Sequence, residues 1–247
     1  MAIHESSAAT ITVKKWGTGG DLRKNSVINK NLPKSKITTQ VVNAAKKGTP
    51  IIKFGNGEGP KTLIVAGVHG NELSSQIAAM KLINYLDKKK NIKGTIYVIP
   101  FVAPKATSKN QRFFNGKNLN TISHKKGSIT NKIVLFAKEN NITTVGDFHC
   151  TMPGGYPGKN IILGTEFPSS ESAQMAIGIS KIVKHPYKNE YKAGDSYPGA
   201  LEDNLNLIGI SSVTCEVKTP HGKIASGSVS SSYKQMLGFL KYLGFIK

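Results

Sequence analysis

The sequence predicts an α/β fold: a single domain built on a mixed, mostly parallel sheet with helices on both faces. Three observations carry this. Short, branched, apolar runs such as Leu63 to Val68 alternate with segments of helical spacing such as Leu73, Ile77, Met80, Leu82, Ile83 and Leu86; the first pattern is a buried strand and the second a helix. Three of the apolar runs end on or carry polar, chemically capable residues, as expected where ligands gather at the carboxyl edge of an open α/β sheet. The length of 247 residues, 38% of them hydrophobic, suffices to bury a substantial core as one domain.

In chain order, residues 1–48 form a polar, lysine-rich segment packed on or preceding the domain that fills 49–247. Gly17-Thr-Gly-Gly20 and Leu32-Pro-Lys break it into pieces. Ile11 to Trp16 has the makings of an edge strand and Thr38 to Lys46 of a short helix. Beyond it the pattern gives strands near 50–54, 62–68, 95–102, 142–149, 160–164 and 210–217. Helices fall near 71–89, 129–140, 169–184, 199–208 and 228–243. Pro104 to Lys126 is a long polar connection, and connections of that length in compact domains are usually functional or disordered.

Three strand ends hold the chemistry. His69 and Glu72, in Leu63-Ile-Val-Ala-Gly-Val-His-Gly-Asn-Glu72, lie where the second strand of the 49–247 region runs into a helix. Imidazole and carboxylate suit zinc, whose catalytic sites take three protein ligands and leave a position for water. A His-x-x-Glu alone more often marks a helix start with a favourable acid, so position matters. His149 ends the run Ile142-Thr-Thr-Val-Gly-Asp-Phe-His149, with Asp147 two residues earlier on the same face of the strand, where it can orient an imidazole. Glu216 sits inside the apolar run Ile210 to Val217, and a carboxylate there is paired structurally or held near an ion or water; beside a metal, it reads as a general base. Glu139 and Glu166 are flanked by polar residues and are expected to face solvent.

Gly67-Val-His-Gly-Asn-Glu72, Arg112 followed by Asn118-Leu-Asn120, Asp147-Phe-His149 and Thr214-Cys-Glu-Val217 occur in an order and spacing that resembles the zinc carboxypeptidases and the related succinylglutamate desuccinylase and aspartoacylase enzymes. The resemblance runs from about residue 49 to the end and makes that region a zinc-dependent hydrolase domain of carboxypeptidase-like fold. It implies one Zn2+ per chain on His69, Glu72 and His149, Glu216 as general base and acid, Arg112 as polariser of the scissile carbonyl, and Asn120 as a substrate-contacting amide. Arg112 has separate support: the only arginines are Arg23 and Arg112, and a planar fork of donors is a task lysine cannot perform.

The departures from the family pattern are informative. Where the family usually reads Asp-Leu-Asn-Arg, this chain reads Asn118-Leu119-Asn120-Thr121. Asn118 can still accept a hydrogen bond from imidazole, but Thr121 cannot grip a substrate carboxylate bidentately. Lys117, Lys125 and Lys126 are candidates for a replacement charge, although a lysine cluster in a loop is more often only a solvated face. Tyr156, in Met152-Pro-Gly-Gly-Tyr156, and Tyr197, in Tyr197-Pro-Gly199, are candidate substrate-flanking residues in segments that are also ordinary turns. The resemblance makes amide hydrolysis the expected reaction, on a peptide or cell-wall-type peptide first and on an N-acyl amino acid second. A non-catalytic binding module on the same fold is the third reading.

Charge adds a further constraint. Lys and Arg total 34 against 14 Asp and Glu, a net charge of +20. Lysines spread along the chain with almost no arginine and no recognisable nucleic-acid-binding fold argue against nucleic acid. An anionic cell-wall polymer or an acidic substrate fits the same field, and so does a lysine bias from an AT-rich genome. No run of 18 apolar residues and no hydrophobic signal segment follow Met1. As written the chain reads as soluble, with an extracellular or cell-wall-associated location left open by the small, polar start at residues 1–9. Cys150 and Cys215 are expected as buried free thiols pointing away from the active face.

Overall fold

The computed structural model of the chain describes residues 9–247; the polar start, apart from Ala9, lies outside the described residues. The elements are β1 (Thr10–Lys14), α1 (Ser26–Asn31), α2 (Lys36–Ala45), β2 (Thr49–Phe54), β3 (Lys61–Ala66), α3 (Leu73–Asp87), β4 (Thr95–Ile99), α4 (Pro104–Ser108), α5 (Ile129–Glu139), β5 (Thr144–Thr151), β6 (Ile161–Phe167), α6 (Glu171–Val183), β7 (Tyr187–Lys192), α7 (Leu201–Leu207), β8 (Ser211–Lys218) and α8 (Ser228–Tyr242). The strands form one eight-stranded sheet in the order β1-β2-β4-β3-β5-β8-β6-β7. Its centre, β4-β3-β5-β8, is parallel, while β1, β2 and β6 join antiparallel neighbours. The mixed, mostly parallel α/β sheet expected from the sequence is what the chain forms.

Alternation along the strands sorts the core into two layers, because successive side chains leave opposite faces. On one face Phe148, Val213 and Cys215 meet α2, α3, α6 and α8, with Phe148 edge-on to Phe239 at 6.2 Å. On the other, Leu63, Val65 and Val145 meet α5 and α7 through Ile133, Phe136, Leu201 and Leu205. Each fully buried Leu, Ile or Phe contributes about 1.5–3 kcal/mol of hydrophobic stabilisation. Residues of the lysine-rich first segment share this core: β1 pairs with β2, and Ile37, Val41 and Val42 of α2 are buried against the first layer. Ser35 starts α2 by accepting a hydrogen bond from Thr38 N at 3.1 Å.

The expected strands and helices are present with ends shifted by a few residues. Three pieces were not legible, the first being the short helix α1, which Asn25 caps by accepting from Val27 N and Ile28 N. β7, Tyr-Lys-Asn-Glu-Tyr-Lys, has no apolar alternation because it is an edge strand with solvent on most of its surface; its lysines are what protects an exposed edge. The connection 104–126 is not structureless, since Pro104 opens α4 and Leu119–Thr121 make a 3-10 turn. Glu139 and Glu166 are exposed as expected. Both cysteines are buried and unpaired; Cys215 lies in the layer opposite His149 and Glu216, and Cys150 Sγ faces Ser75 of α3 at 3.9 Å.

Candidate functional site

His69, Glu72, Arg112, Asn118, Asn120, His149, Tyr156, Tyr197 and Glu216, nine of the residues singled out from the sequence, line one cavity of about 580 Å3 at the carboxyl edge of the central strands. The parallel order β3-β5-β8 does the assembling. His149 and Glu216 are register partners on β5 and β8, and His69 and Glu72 lie just past the end of β3. Two glycines shape that exit. Gly67 has φ +82°, and a Cβ on Gly70 would stand 2.4 Å from Gln111 O, where the chain carrying Arg112 crosses. Gly70 N donates to Arg112 O at 3.2 Å across this approach.

Glu72 occupies the N-cap position of α3 yet makes no capping bond. Its carboxylate turns inward instead. Oε1 is 2.7 Å from His69 Nδ1 and accepts from Arg112 Nη1 at 2.9 Å; Oε2 is 2.9 Å from His149 Nδ1 and accepts from Cys150 N at 3.0 Å. The loop is held from below by Gln76, whose Nε2 donates to Gly70 O and Glu72 O. The far imidazole nitrogens are braced as well. His69 Nε2 lies 2.8 Å from Asn118 Oδ1, the acceptor expected at that position. His149 Nε2 lies 2.9 Å from Asp147 Oδ2, close enough for ionic attraction although the angle is not that of a hydrogen bond.

Ligand-capable atoms of His69, Glu72 and His149 all lie within 4.8 Å of one another, and the three residues are buried. Two inward-facing Nδ1 atoms, a carboxylate and bracing groups behind the rings are a set that could hold a metal ion. Electrostatics bind the cluster together. Burial works against ionisation of Glu72, but His69 and His149 outweigh it and hold the carboxyl well below its usual value. Burial also opposes charge on His149, and the Asp147 and Glu72 carboxylates outweigh it, raising that imidazole well above its usual value.

Glu216 faces the same space. The residue is partly open to the cavity, while its Oε2 is enclosed and has no hydrogen-bond partner among the described residues. Desolvation pushes its carboxyl up to about 8; His149 and Arg112 pull it down, and Glu72 and Asp147 add to the rise. A buried carboxyl with a raised pKa in a cleft is suited to proton transfer near neutral pH.

The remaining positions are mixed. Asn120 lines the cavity, but its Oδ1 accepts from Leu201 N at 3.2 Å and so helps start α7, leaving the amide nitrogen for other contacts. Tyr156 and Tyr197 stack at 6.4 Å on the rim. Lys117, Lys125 and Lys126 gather around a neighbouring groove and are not in this cavity's lining, so they are poorly placed to replace the family's arginine. His221 was missed from sequence. Its Nε2 is 2.8 Å from Cys150 O and its Nδ1 is 3.3 Å from Arg112 Nη1, which places it beside the guanidinium. It is one of six histidines and stands five residues beyond Glu216, the one signal that could have pointed to it.

Comparison with known proteins meets the same residues. Residues 58–157 match the family model of the succinylglutamate desuccinylase/aspartoacylase catalytic domain. That segment contains His69, Glu72, Arg112 and His149. No curated protein matches the chain. Among solved structures, an aspartoacylase family protein from Mesorhizobium loti is similar with a TM-score of 0.65 at 19% identity, over 97% of this chain and 68% of that one. The product-bound ectoine utilization protein EutE from Ruegeria pomeroyi gives 0.65 at 17% identity, over 82% and 64%. The product-bound cell shape determinant Csd4 from Helicobacter pylori gives 0.59 at 18%, over 76% and 51%. At these identities the likeness is one of fold. The chain spans roughly two thirds or less of the length of these three structures. No helix among the described residues is long and apolar enough to cross a membrane.

Proposed function

We propose that this chain is a zinc-dependent amide hydrolase acting on a small acylated amino compound or short peptide. The observation that carries the reading is the joint placement, in one cavity, of the His69, Glu72 and His149 cluster and the unpartnered Glu216 carboxyl. A zinc ion held by those three residues would supply a Lewis acid and lower the pKa of a water to roughly 7. Asn118 and Asp147 fix the two imidazoles from behind. Glu216 takes a proton from the attacking water at Oε2 and returns it to the leaving amine. The Arg112 guanidinium, only partly engaged by Glu72, donates to the carbonyl oxygen as negative charge develops on it; His221 limits its swing. Glu216 has no assigned partner to satisfy, which speaks for turnover rather than for a binding module.

A peptide is the first substrate the sequence motifs suggest. The matched family model and a cavity of about 580 Å3, the size that encloses a small ligand, support the N-acyl amino acid class more than an extended cell-wall polymer. The deciding experiment loads purified protein with zinc and screens short peptides against N-acyl amino acids, reading free amine. We expect close to one zinc per chain by elemental analysis, and loss of both metal and amine release in His69→Ala. Absence of zinc uptake, or no amine from either class, would overturn the proposal.

Specificity gives a further prediction. Among the described residues Arg112 is the only lysine or arginine lining the cavity, and Thr121 donates its hydroxyl to Asn118 O. Amidating the C-terminal carboxylate of a matched substrate is therefore expected to lower kcat/KM less than about tenfold, or 1.4 kcal/mol. A bidentate arginine grip would cost on the order of 1.5–3 kcal/mol. A loss above about a hundredfold would show that the carboxylate is held after all.

A further inference from the structure

The same cavity has an acidic wall that no basic side chain among the described residues pairs with. Glu202 and Asp203, in the first turn of α7, are only 6% and 4% exposed and both line the cavity. Glu202 Oε1 accepts from Asn206 Nδ2 at 2.8 Å, its carboxyl is also within hydrogen-bonding reach of Thr214 and Asp203, and Asp203 takes a hydrogen bond from the Gly194 backbone; these partners are all neutral or acidic. Among the described residues no lysine, arginine or histidine forms an ion pair with either acid. In a chain with 34 lysines and arginines this needs a reason, because buried acids are ordinarily paired. The other cavity acids are accounted for. Glu72 holds the histidines and Arg112, Glu190 pairs with Lys188 at 2.8 Å and accepts from Ser196, and Glu216 is the base.

A second feature points the same way. Thr165 of β6 is 1% exposed, lines this cavity, and its Oγ1 has no hydrogen-bond partner among the described residues. A buried hydroxyl without a partner costs free energy unless something else supplies the hydrogen bond. The carboxyls show the same tension. Burial and the neighbouring Asp203 raise Glu202 well above its usual value, and burial raises Asp203 to about 6. Both carboxyls thus meet a penalty for ionising in this wall, which a cation seated against them would offset.

Resting on the amide-hydrolase reading above, we propose that Glu202, Asp203 and Thr165 form a cation subsite, and that the substrate carries a primary ammonium group besides the amide to be cut. An ammonium brings three donors and no acceptor, which suits two carboxyls and a hydroxyl. The cavity is then bipolar: histidines and Arg112 take the polarised carbonyl, and the α7 wall takes the positive end. The chain's net charge of +20 does not oppose this, since selection occurs inside a cavity whose lining acids outnumber its arginine.

The test uses three compounds matched in size: Nα-acetyl-L-lysine, Nα-acetyl-L-norleucine and N-acetyl-L-glutamate. Binding is read by calorimetry on zinc-loaded Glu216→Gln protein, where nothing turns over, and amine release is read on the zinc-loaded wild type. The lysine compound is expected to bind at least about tenfold tighter than the norleucine compound, with the glutamate compound weakest. Placing Asp203→Asn or Glu202→Gln in the same background should bring the lysine-to-norleucine ratio within about threefold of one. Each keeps the side chain's size, and melting curves on both variants check that a lost preference is not lost folding. No lysine preference before the α7 substitutions, or a preference kept in both variants, overturns the subsite. Lysine-selective binding without amine release from any compound would sustain the subsite and defeat the hydrolase reading. Amine release without lysine preference would do the reverse.

Discussion

Glu216→Gln is expected to lower kcat/KM for amide cleavage by about 10²- to 10⁴-fold, the usual contribution of a positioned general acid and base. Zinc content should stay near one per chain. The substitution keeps the side chain's size and removes its ability to take a proton. It also relieves a carboxyl that desolvation pushes up to about 8 and whose Oε2 has no partner, so the variant should be at least as stable as the parent. Loss of activity with gain of stability is the pattern of a residue kept for chemistry. Melting curves, elemental analysis and steady-state kinetics on one preparation check all three points. Activity within a few fold of wild type would move the base elsewhere.

His69, Glu72, His149 and Glu216 were legible in sequence because each is a local signal: a polar, ligand-capable residue at or inside a run whose apolar pattern fixes its place on a strand. Their meeting was not a local property. It follows from the order β3-β5-β8, which sets His149 beside Glu216 and the β3 exit beside both. Features that depend wholly on such long-range placement stayed hidden. The Asn120 carbonyl goes to Leu201 N, 81 residues away, so a residue matched to a substrate contact also holds a helix start. Glu202, Asp203 and Thr165 come from two elements whose sequences suggest only an exposed helix and an apolar strand. His221 lies in a turn, Thr219-Pro-His-Gly222, that has neither strand nor helix periodicity. β7 was missed for the opposite reason: an edge strand needs little apolar surface, and its sequence shows little.

Glu72→Ala is expected to cost the metal-free protein about 3–5 kcal/mol, the usual effect of removing one partner from a buried ionic group. At roughly 2–4 °C per kcal/mol for a domain of this size, melting should fall by roughly 6–20 °C. The loss is large because one carboxylate serves His69, His149, Arg112 and Cys150 N at 2.7 to 3.0 Å. Its pH dependence is bounded on both sides. Glu72 is held below the ordinary 4.5, so its contribution is present above that value and fades as pH falls through the lower native pKa. His149 is raised above 6.5, so its contribution is complete below that value and is lost as pH rises through the higher native pKa. Metal-free wild type should therefore gain most from this cluster between about pH 4.5 and 6.5, and Glu72→Ala should flatten the profile. Zinc requires the His149 imidazole neutral, so its uptake displaces the same proton and tightens as pH rises. Melting curves with chelator from pH 4 to 9, beside zinc titrations over the same range, measure both effects. A variant that melts within about 2 °C of wild type, or zinc affinity that does not climb with pH, would show that Glu72 does not tie the two histidines into one unit.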